Sequence, residues 1–374
     1  MILTPNFTAM TPTATIHSIA ISELLHKQIT SRKTPGLYYA FFDAQKIHYE
    51  FSDGKMDLKA GIPVDAQTVF HAYSMTKTFT ATAVMQLVAT GKLNLEDLVT
   101  THLPDFAHGH EIRIWHLLAH SSGLPNPMPI KWIHLVEEQA TFDENAFFEG
   151  VFRAISKPSR KPNDRFAYSN LGFVVLGQLI EQVTGMSYRE YVNQHIIKPL
   201  SASDALGFER QSHWKVATGY QKAFSFGNFL LGFLLDKAKF RGEKTEGWVS
   251  LRPFYVNGSA YGGLIGRPGA FVAFAQDLLK LDGVVLPPKY RQEMFQENHL
   301  NSGKASGMCL GWFCGLLDGR RYVTHAGGGG GYYCELRIYP ESGLGSIIMT
   351  NRTGFSDERM LDKLDKFCLP TSAL

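Results

Sequence analysis

Ser74 and Lys77 stand three residues apart in FHAYSMTKTF, residues 70–79. A serine hydroxyl becomes a nucleophile when a nearby base removes its proton. A lysine shielded from water can be that base once it is neutral. Three residues along a helix bring two side chains onto one face. The helix N-terminus adds positive partial charge and free N–H groups beside any anion that forms there. The spacing alone says little, because it occurs three times, at Ser52–Lys55, Ser74–Lys77 and Ser212–Lys215. Ser52 belongs to Ser52-Asp53-Gly54, which reads as a turn. Ser212 lies in a polar stretch with no clear helix after it. Only Ser74 opens a long apolar-faced helical segment, Thr76 to Thr90, with Gly91 placed as its cap.

Two further groups could complete such a site. Tyr168-Ser169-Asn170 ends the polar loop RKPNDRFAYSN just before a helical stretch. A tyrosine there can exchange a proton with the serine or the leaving group, and Asn170 can hold the lysine and a substrate carbonyl. Tyr-x-Asn also recurs, at Tyr191 and Tyr255. Tyr191 lies inside an amphipathic helical pattern and reads as core or surface. Tyr255 precedes a Gly-Ser turn and stays open. The third group is His325-Ala326-Gly327, opening HAGGGGGYYCELRIYP. Backbone without side chains, as at Gly327 and Gly328, can approach a ligand closely and give an N–H to a developing oxyanion. The plainer reading is a flexible hairpin loop.

In this order and local context, Ser74-x-x-Lys77, Tyr168-x-Asn170 and His325-x-Gly327 resemble the three motifs of the serine β-lactamase and penicillin-binding-protein superfamily. The Tyr-x-Asn form is most similar to class C β-lactamases, D-alanyl-D-alanine carboxypeptidases and family VIII carboxylesterases. IRIWHLLAHSSGLP (112–125), FAYSNLGFVVLGQLIEQVTGMSY (166–188) and VATGY (216–220) extend the likeness over residues 16–351. The resemblance implies a site between two subdomains. It implies that Ser74 is acylated, that Lys77 and Tyr168 share base and acid work, and that Asn170 positions Lys77 and substrate. It also implies an oxyanion hole from the N–H groups of Ser74 and Gly328. The chain departs from most β-lactamases of this group at His325, where they carry a lysine that attracts a substrate carboxylate. A histidine with a reference pKa near 6.5 is mostly neutral at pH 7.

The elements that must position these groups read as strand–helix–strand. Residues 16–31 form an amphipathic helix with Ile21, Leu24, Leu25 and Ile29 on one face. LYYAFFD (37–43) and IHYEF (47–51) predict a hairpin, and CELRIYPE (334–341) with LGSIIMTN (344–351) a second. Residues 92–250 hold several helical stretches, including 171–185, and Asp357 to Phe367 reads as a closing helix. The expected class is therefore α+β (mixed): an antiparallel sheet built from both chain ends, flanked by helices, with an inserted helical subdomain. The α/β part takes about 16–70 plus 255–374, the helical part about 71–254, and residues 1–15 form an N-terminal extension.

Composition bounds the function. A formal charge of +3 with scattered lysines and arginines gives no nucleic-acid footprint. The start shows no basic segment followed by an apolar run, so no signal peptide is read and a cytoplasmic protein is expected. Cys309, Cys314, Cys334 and Cys368 lack zinc-like spacing and read as free thiols. The uncharged stretch 223–235 has 13 residues, too short for a membrane span of about 20. His102, His108, His110, His116 and His120 cluster in sequence, and His116 and His120 could share a helical face as metal ligands do. His-Glu-x-x-His is absent, and His120 reads better as holding a turn. There is no Gly-x-Ser-x-Gly elbow, P-loop or dinucleotide fingerprint, so neither metal nor cofactor is expected.

The expected activity is hydrolysis of small to medium esters through an acyl-enzyme on Ser74, with a small-molecule ester or amide as partner. A D-alanyl or D-aminoacyl peptidase, or a weak β-lactamase, is the nearest alternative. A non-catalytic binding protein is another. The aromatic segment Phe224, Phe226, Phe229, Phe233, Phe240, Trp248, Phe254 and Tyr255 reads equally as pocket wall or as core. The sequence sets no oligomeric state.

Overall fold

The computed structural model describes residues 16–127, 129–155, 160–223, 237–354 and 359–369. Both terminal hairpins form, and they join. β1 (Gly36–Asp43), β2 (Ile47–Asp57) and β3 (Ile62–Pro63) come from one end of the chain. β4 (Phe313–Leu317), β5 (Arg320–Gly329), β6 (Tyr332–Tyr339) and β7 (Leu344–Thr350) come from the other. β1 pairs antiparallel with β7, from Leu37↔Thr350 to Asp43↔Leu344, and closes one seven-stranded sheet in the order β4-β5-β6-β7-β1-β2-β3.

Strand β1 shows why both faces of the sheet are covered. Its period of two sends Tyr38, Ala40 and Phe42 into one core and Leu37, Tyr39 and Phe41 into another. The helices that matter here are α1 (Ser18–Thr30), α2 (Thr76–Ala89), α3 (Asn170–Thr184), α4 (Pro268–Leu279) and α5 (Met360–Asp365). Ile21 and Leu25 of α1 and Leu361 and Leu364 of α5 fill the second core. Helices α2, α3 and α4 share the first, where the Phe79 and Phe274 rings stack with centroids 3.8 Å apart. Residues 355–358, at the start of the expected closing helix, lie outside the described residues.

Two expectations need correction. Ser52-Asp53-Gly54 is not a turn: β2 runs through it to Asp57, and the chain turns at 58–61. Gly54 pairs with Gly36 and has φ +79°, and a Cβ there would lie 2.2 Å from the Pro35 carbonyl. The glycine serves a close backbone crossing within a strand. The stretch 71–254 is also less purely helical than its pattern suggests. It contributes strands of two to five residues, such as Lys215–Val216, Arg241–Thr245 and Trp248–Leu251. Segments this short are below the length at which periodicity shows. Among the described residues, no helix is long and apolar enough to cross a membrane.

Candidate active site

The sheet and α2 meet at Ser74. A short 3-10 turn, Tyr73–Met75, leads into α2, and Ser74 sits in its middle. Tyr73 has φ +44°, a left-handed conformation that costs energy for a non-glycine residue. Surrounding groups hold it there. The Tyr73 hydroxyl donates to the Gly330 carbonyl at 2.9 Å, Cys334 Sγ donates to the Ala72 carbonyl at 3.0 Å, and the Ala72 N–H donates to Leu264 at 2.9 Å.

The glycine run is not a loose loop. Gly327 and Gly329 end strand β5, and with His325 they alternate onto the face that carries the serine turn. A Cβ on Gly327 would stand 1.9 Å from the Ala72 carbonyl oxygen, and one on Gly329 would stand 2.2 Å from the Tyr73 ring. The Gly327→Ala protein is therefore expected to displace the serine turn and lose about 100-fold in kcat. Gly269→Ala, far from this turn on α4, is the control, since its Cβ would meet nothing within 4 Å. Steady-state kinetics on both variants checks this, and a wild-type kcat for Gly327→Ala would overturn it.

Lys77 is fully buried. Its Nζ lies 2.9 Å from Ser74 Oγ, 2.8 Å from Asn170 Oδ1 and 2.9 Å from the Tyr261 carbonyl. The rings of Tyr168, Phe173 and Tyr261 surround it at 5.1, 5.4 and 5.2 Å. Among the described residues, no carboxylate is among its partners. Burial holds the pKa of Lys77 well below the ordinary lysine range. A neutral amine has two N–H groups and one lone pair. Asn170 Oδ1 and the Tyr261 carbonyl can only accept, so they take both N–H groups. The lone pair remains for the Ser74 hydroxyl. On the other side, the Tyr168 hydroxyl donates to Ser74 Oγ at 2.8 Å. Burial pushes Tyr168 above the ordinary tyrosine range, so it keeps its proton. Ser74 thus stands between Lys77, which is a base in its neutral form, and a protonated Tyr168.

The loop carrying Tyr168 is pinned by His120, which the sequence suggests holds a turn. His120 accepts from the Ser169 N–H at 3.1 Å through Nδ1, and its carbonyl accepts from the Ala167 N–H at 2.7 Å. Its ring packs on the Tyr168 ring at 4.2 Å. His116 Nδ1 instead accepts from the Arg113 N–H at 2.9 Å and caps its own short helix. The two histidines do not converge, and no His, Cys, Asp and Glu group among the described residues suits a metal ion. Ser169 caps α3 by accepting from the Gly172 N–H at 3.2 Å. Asn170 donates its own N–H to Asn126 Oδ1 at 3.0 Å.

His325 is buried. Its Nδ1–H donates to the Ala326 carbonyl at 2.8 Å, which leaves Nε2 as a bare lone pair without a partner among the described residues. Burial, with Lys77 nearby, pushes its pKa down to about 3. It is a neutral group in this site. Phe313 packs against both His325 and Tyr168, with centroids 5.4 and 6.4 Å away, and Phe166 packs against Phe313 at 5.9 Å.

The structure thus brings Ser74, Lys77, Tyr168 and Asn170 into direct contact, with His325 beside Tyr168 and Gly327 beneath the serine turn. Tyr261, Asn126 and Phe313 were missed. Tyr261 acts through its carbonyl, which no side-chain pattern can reveal. His120 holds a turn, as its place in LLAHSSGLP suggests. The other Tyr-x-Asn tyrosines stand elsewhere. Tyr191 is buried in a short helix, and Tyr255 accepts from the Arg210 N–H at 2.9 Å. Of the aromatic segment, Phe240, Trp248, Phe254 and Tyr255 are buried. Phe224, Phe226, Phe229 and Phe233 lie outside the described residues.

The antiparallel sheet, the helices packed on it and the serine–lysine–tyrosine cluster define a penicillin-binding-type fold. The Beta-lactamase family profile matches residues 21–367, and the chain belongs to that family of serine hydrolases. It is 24% identical over 357 residues to Protein flp of Staphylococcus aureus strain MW2, covering 88% of this chain and 62% of that protein. It therefore spans less than two thirds of the length of that relative. Among solved structures it is similar to the octameric penicillin-binding protein homologue from Pyrococcus abyssi, with TM-score 0.75 and 23% identity over 90% of this chain and 74% of that one. It is also similar to the D-amino acid amidase from Ochrobactrum anthropi SV3, with TM-score 0.73 and 21% identity over 93% and 98%.

Proposed function

We propose that this protein is a serine hydrolase that forms an acyl-enzyme on Ser74 and that it acts as a carboxylesterase on small to medium esters. The observation that carries this reading is the buried Lys77 with its Nζ 2.9 Å from Ser74 Oγ and no carboxylate among its partners in the described residues. Lys77 takes the Ser74 proton as Oγ attacks the ester carbonyl. The N–H groups of Ser74 and Gly328 receive the oxyanion. Tyr168 gives its proton to the leaving alkoxide and recovers one from Lys77. A water then repeats the sequence and frees the acid and Ser74. Asn170 keeps the amine oriented throughout.

The choice of ester over β-lactam rests on His325. A neutral buried imidazole offers no positive charge to the carboxylate of a penicillin or a peptide C-terminus. The likeness to a D-amino acid amidase over 98% of that chain favours a second reading, cleavage of D-aminoacyl amides by the same residues. One preparation assayed on p-nitrophenyl butyrate, nitrocefin and D-phenylalanine amide separates them. The ester is expected to give the highest kcat/KM. A fluorophosphonate probe should label the protein once and fail on Ser74→Ala. A lactam or amide preference would overturn the ester reading. Absence of labelling together with absence of turnover would favour a non-catalytic binding protein.

A further inference from the structure

A site that accepts substrate needs something to hold the part remote from the scissile bond. Neither basic motif residue holds an anion here, since His325 is neutral and Lys77 is engaged with Ser74, Asn170 and Tyr261. Arg210 can. It is partly buried, its Nε is enclosed without a hydrogen-bond partner, and no carboxylate among the described residues pairs with its guanidinium. A guanidinium stays charged at any working pH, and an enclosed unpaired N–H is costly until something accepts from it.

Arg210 lines a cavity of about 270 Å³ together with Gly219, Leu251 and Tyr332. The other charged groups on its wall already have partners. Lys59 pairs with Glu243 at 2.7 Å and Arg252 with Glu137 at 3.0 Å. Asp57 accepts from Thr218 Oγ1 at 3.0 Å and from the Ala60 N–H at 2.8 Å.

The cavity adjoins the serine turn. The space a Cβ would fill on Gly330 is 3.1 Å from Leu251 Cδ1, on the cavity wall, and 3.6 Å from the hydroxyl of Tyr73, the residue before Ser74. Tyr332 stacks on His71 at 4.6 Å, and His71 lies 5.9 Å from the Tyr73 ring. Leu251, Gly330 and Tyr73 therefore pack against one another, and the cavity wall is continuous with the residue before Ser74. With Arg252 and Lys59 already paired, Arg210 is the one cation on this wall without a carboxylate partner among the described residues, and beside Asp57 it favours a monoanion over a multiply charged phosphate, which the carboxylate would repel.

We propose that the Arg210 cavity is a specificity subsite that takes a carboxylate on the substrate arm remote from the scissile carbonyl. This rests on the Ser74 acyl-enzyme reading, which it deepens. Preferred substrates would be half-esters of dicarboxylic acids or compounds of that shape.

The test uses p-nitrophenyl half-esters of glutaric to suberic acid beside uncharged alkanoates of matched length. At one chain length or more, the half-ester is expected to exceed its matched alkanoate about 10-fold in kcat/KM, mostly through KM. In Arg210→Gln that ratio should fall to about 1, and Arg210→Lys should restore part of it. No charge preference at any length, or a preference that survives Arg210→Gln, overturns the proposal. If no ester is turned over, the Ser74 reading fails and the subsite is decided by calorimetry. Monomethyl suberate should bind the wild-type protein and lose binding in Arg210→Gln. Absence of binding, or tighter binding of inorganic phosphate, overturns it.

Discussion

Lys77→Arg is expected to lower kcat/KM on p-nitrophenyl butyrate about 1,000-fold or more, with the fold intact. Arginine keeps the positive charge and the reach of lysine, but its guanidinium does not lose a proton in proteins. If Lys77 only steadied negative charge near Ser74, arginine would do that work. The geometry says otherwise. Asn170 Oδ1 and the Tyr261 carbonyl occupy two donors, and the remaining position faces the Ser74 hydroxyl. An ammonium or guanidinium there donates to Ser74 and cannot accept from it. A variant within tenfold of wild type would show that Tyr168 is the base instead.

The same assignment fixes the sign of the pH dependence. Lys77 is active when neutral, and burial lowers its pKa. Activity is therefore present above that lowered value and lost as pH falls through it. Tyr168 is active when protonated and its pKa is raised, so no alkaline loss is expected within the ordinary tyrosine range. His325 titrates near 3, so it should add no inflection near 6.5. A kcat/KM profile with a limb at 6.5 that vanishes in His325→Asn would contradict the buried, neutral imidazole.

How much of this was visible in the sequence differs by residue. Both terminal hairpins were legible because LYYAFFD and LGSIIMTN combine strand-forming residues with flanking turn residues. Helix α3 was legible to within one residue at each end, since Ser169 caps it and Gly185 ends it with φ +68°. The motif residues were legible through their order and context. What was not legible lay in main-chain groups and in contacts between distant segments. The Tyr261 carbonyl on Lys77 is the clearest case, 184 residues along the chain. The glycine run was legible only in part. It read as close backbone approach to a ligand or, more plainly, as a loose loop, whereas two of its glycines leave the space in which Ala72 and Tyr73 sit. Gly54 repeats this within β2.

The other large effect lies on the far face of the sheet. Arg337 on β6 is buried against three carboxylates: Nη2 is 3.0 Å from Glu335, and Nη1 is 2.7 Å from Asp362 and 3.6 Å from Asp365. Asp362 and Asp365 belong to α5, so this cluster ties the closing helix to the sheet. Tyr339 and Ser346 hydroxyls donate to Asp365 at 2.7 and 3.0 Å, and the Thr324 hydroxyl donates to Glu335 at 2.9 Å. Asp362 also pairs with Arg359 at 2.7 Å, but removing Arg337 leaves Glu335 and Asp365 without a cation partner among the described residues, and Arg337→Met is expected to cost about 3–5 kcal/mol. The cost should depend on pH. Burial already raises Asp365 to about 6, above its unfolded value, so protonation of this group favours the folded state. Its contribution is present below the unfolded value and is lost as pH rises through about 6. Without Arg337 the acids should hold protons more tightly still. Urea melts of wild type and variant at pH 5 and pH 8 should therefore give the larger difference at pH 8. An equal difference at both would mean that the acids are not ionised beside Arg337 and that packing alone sets the loss.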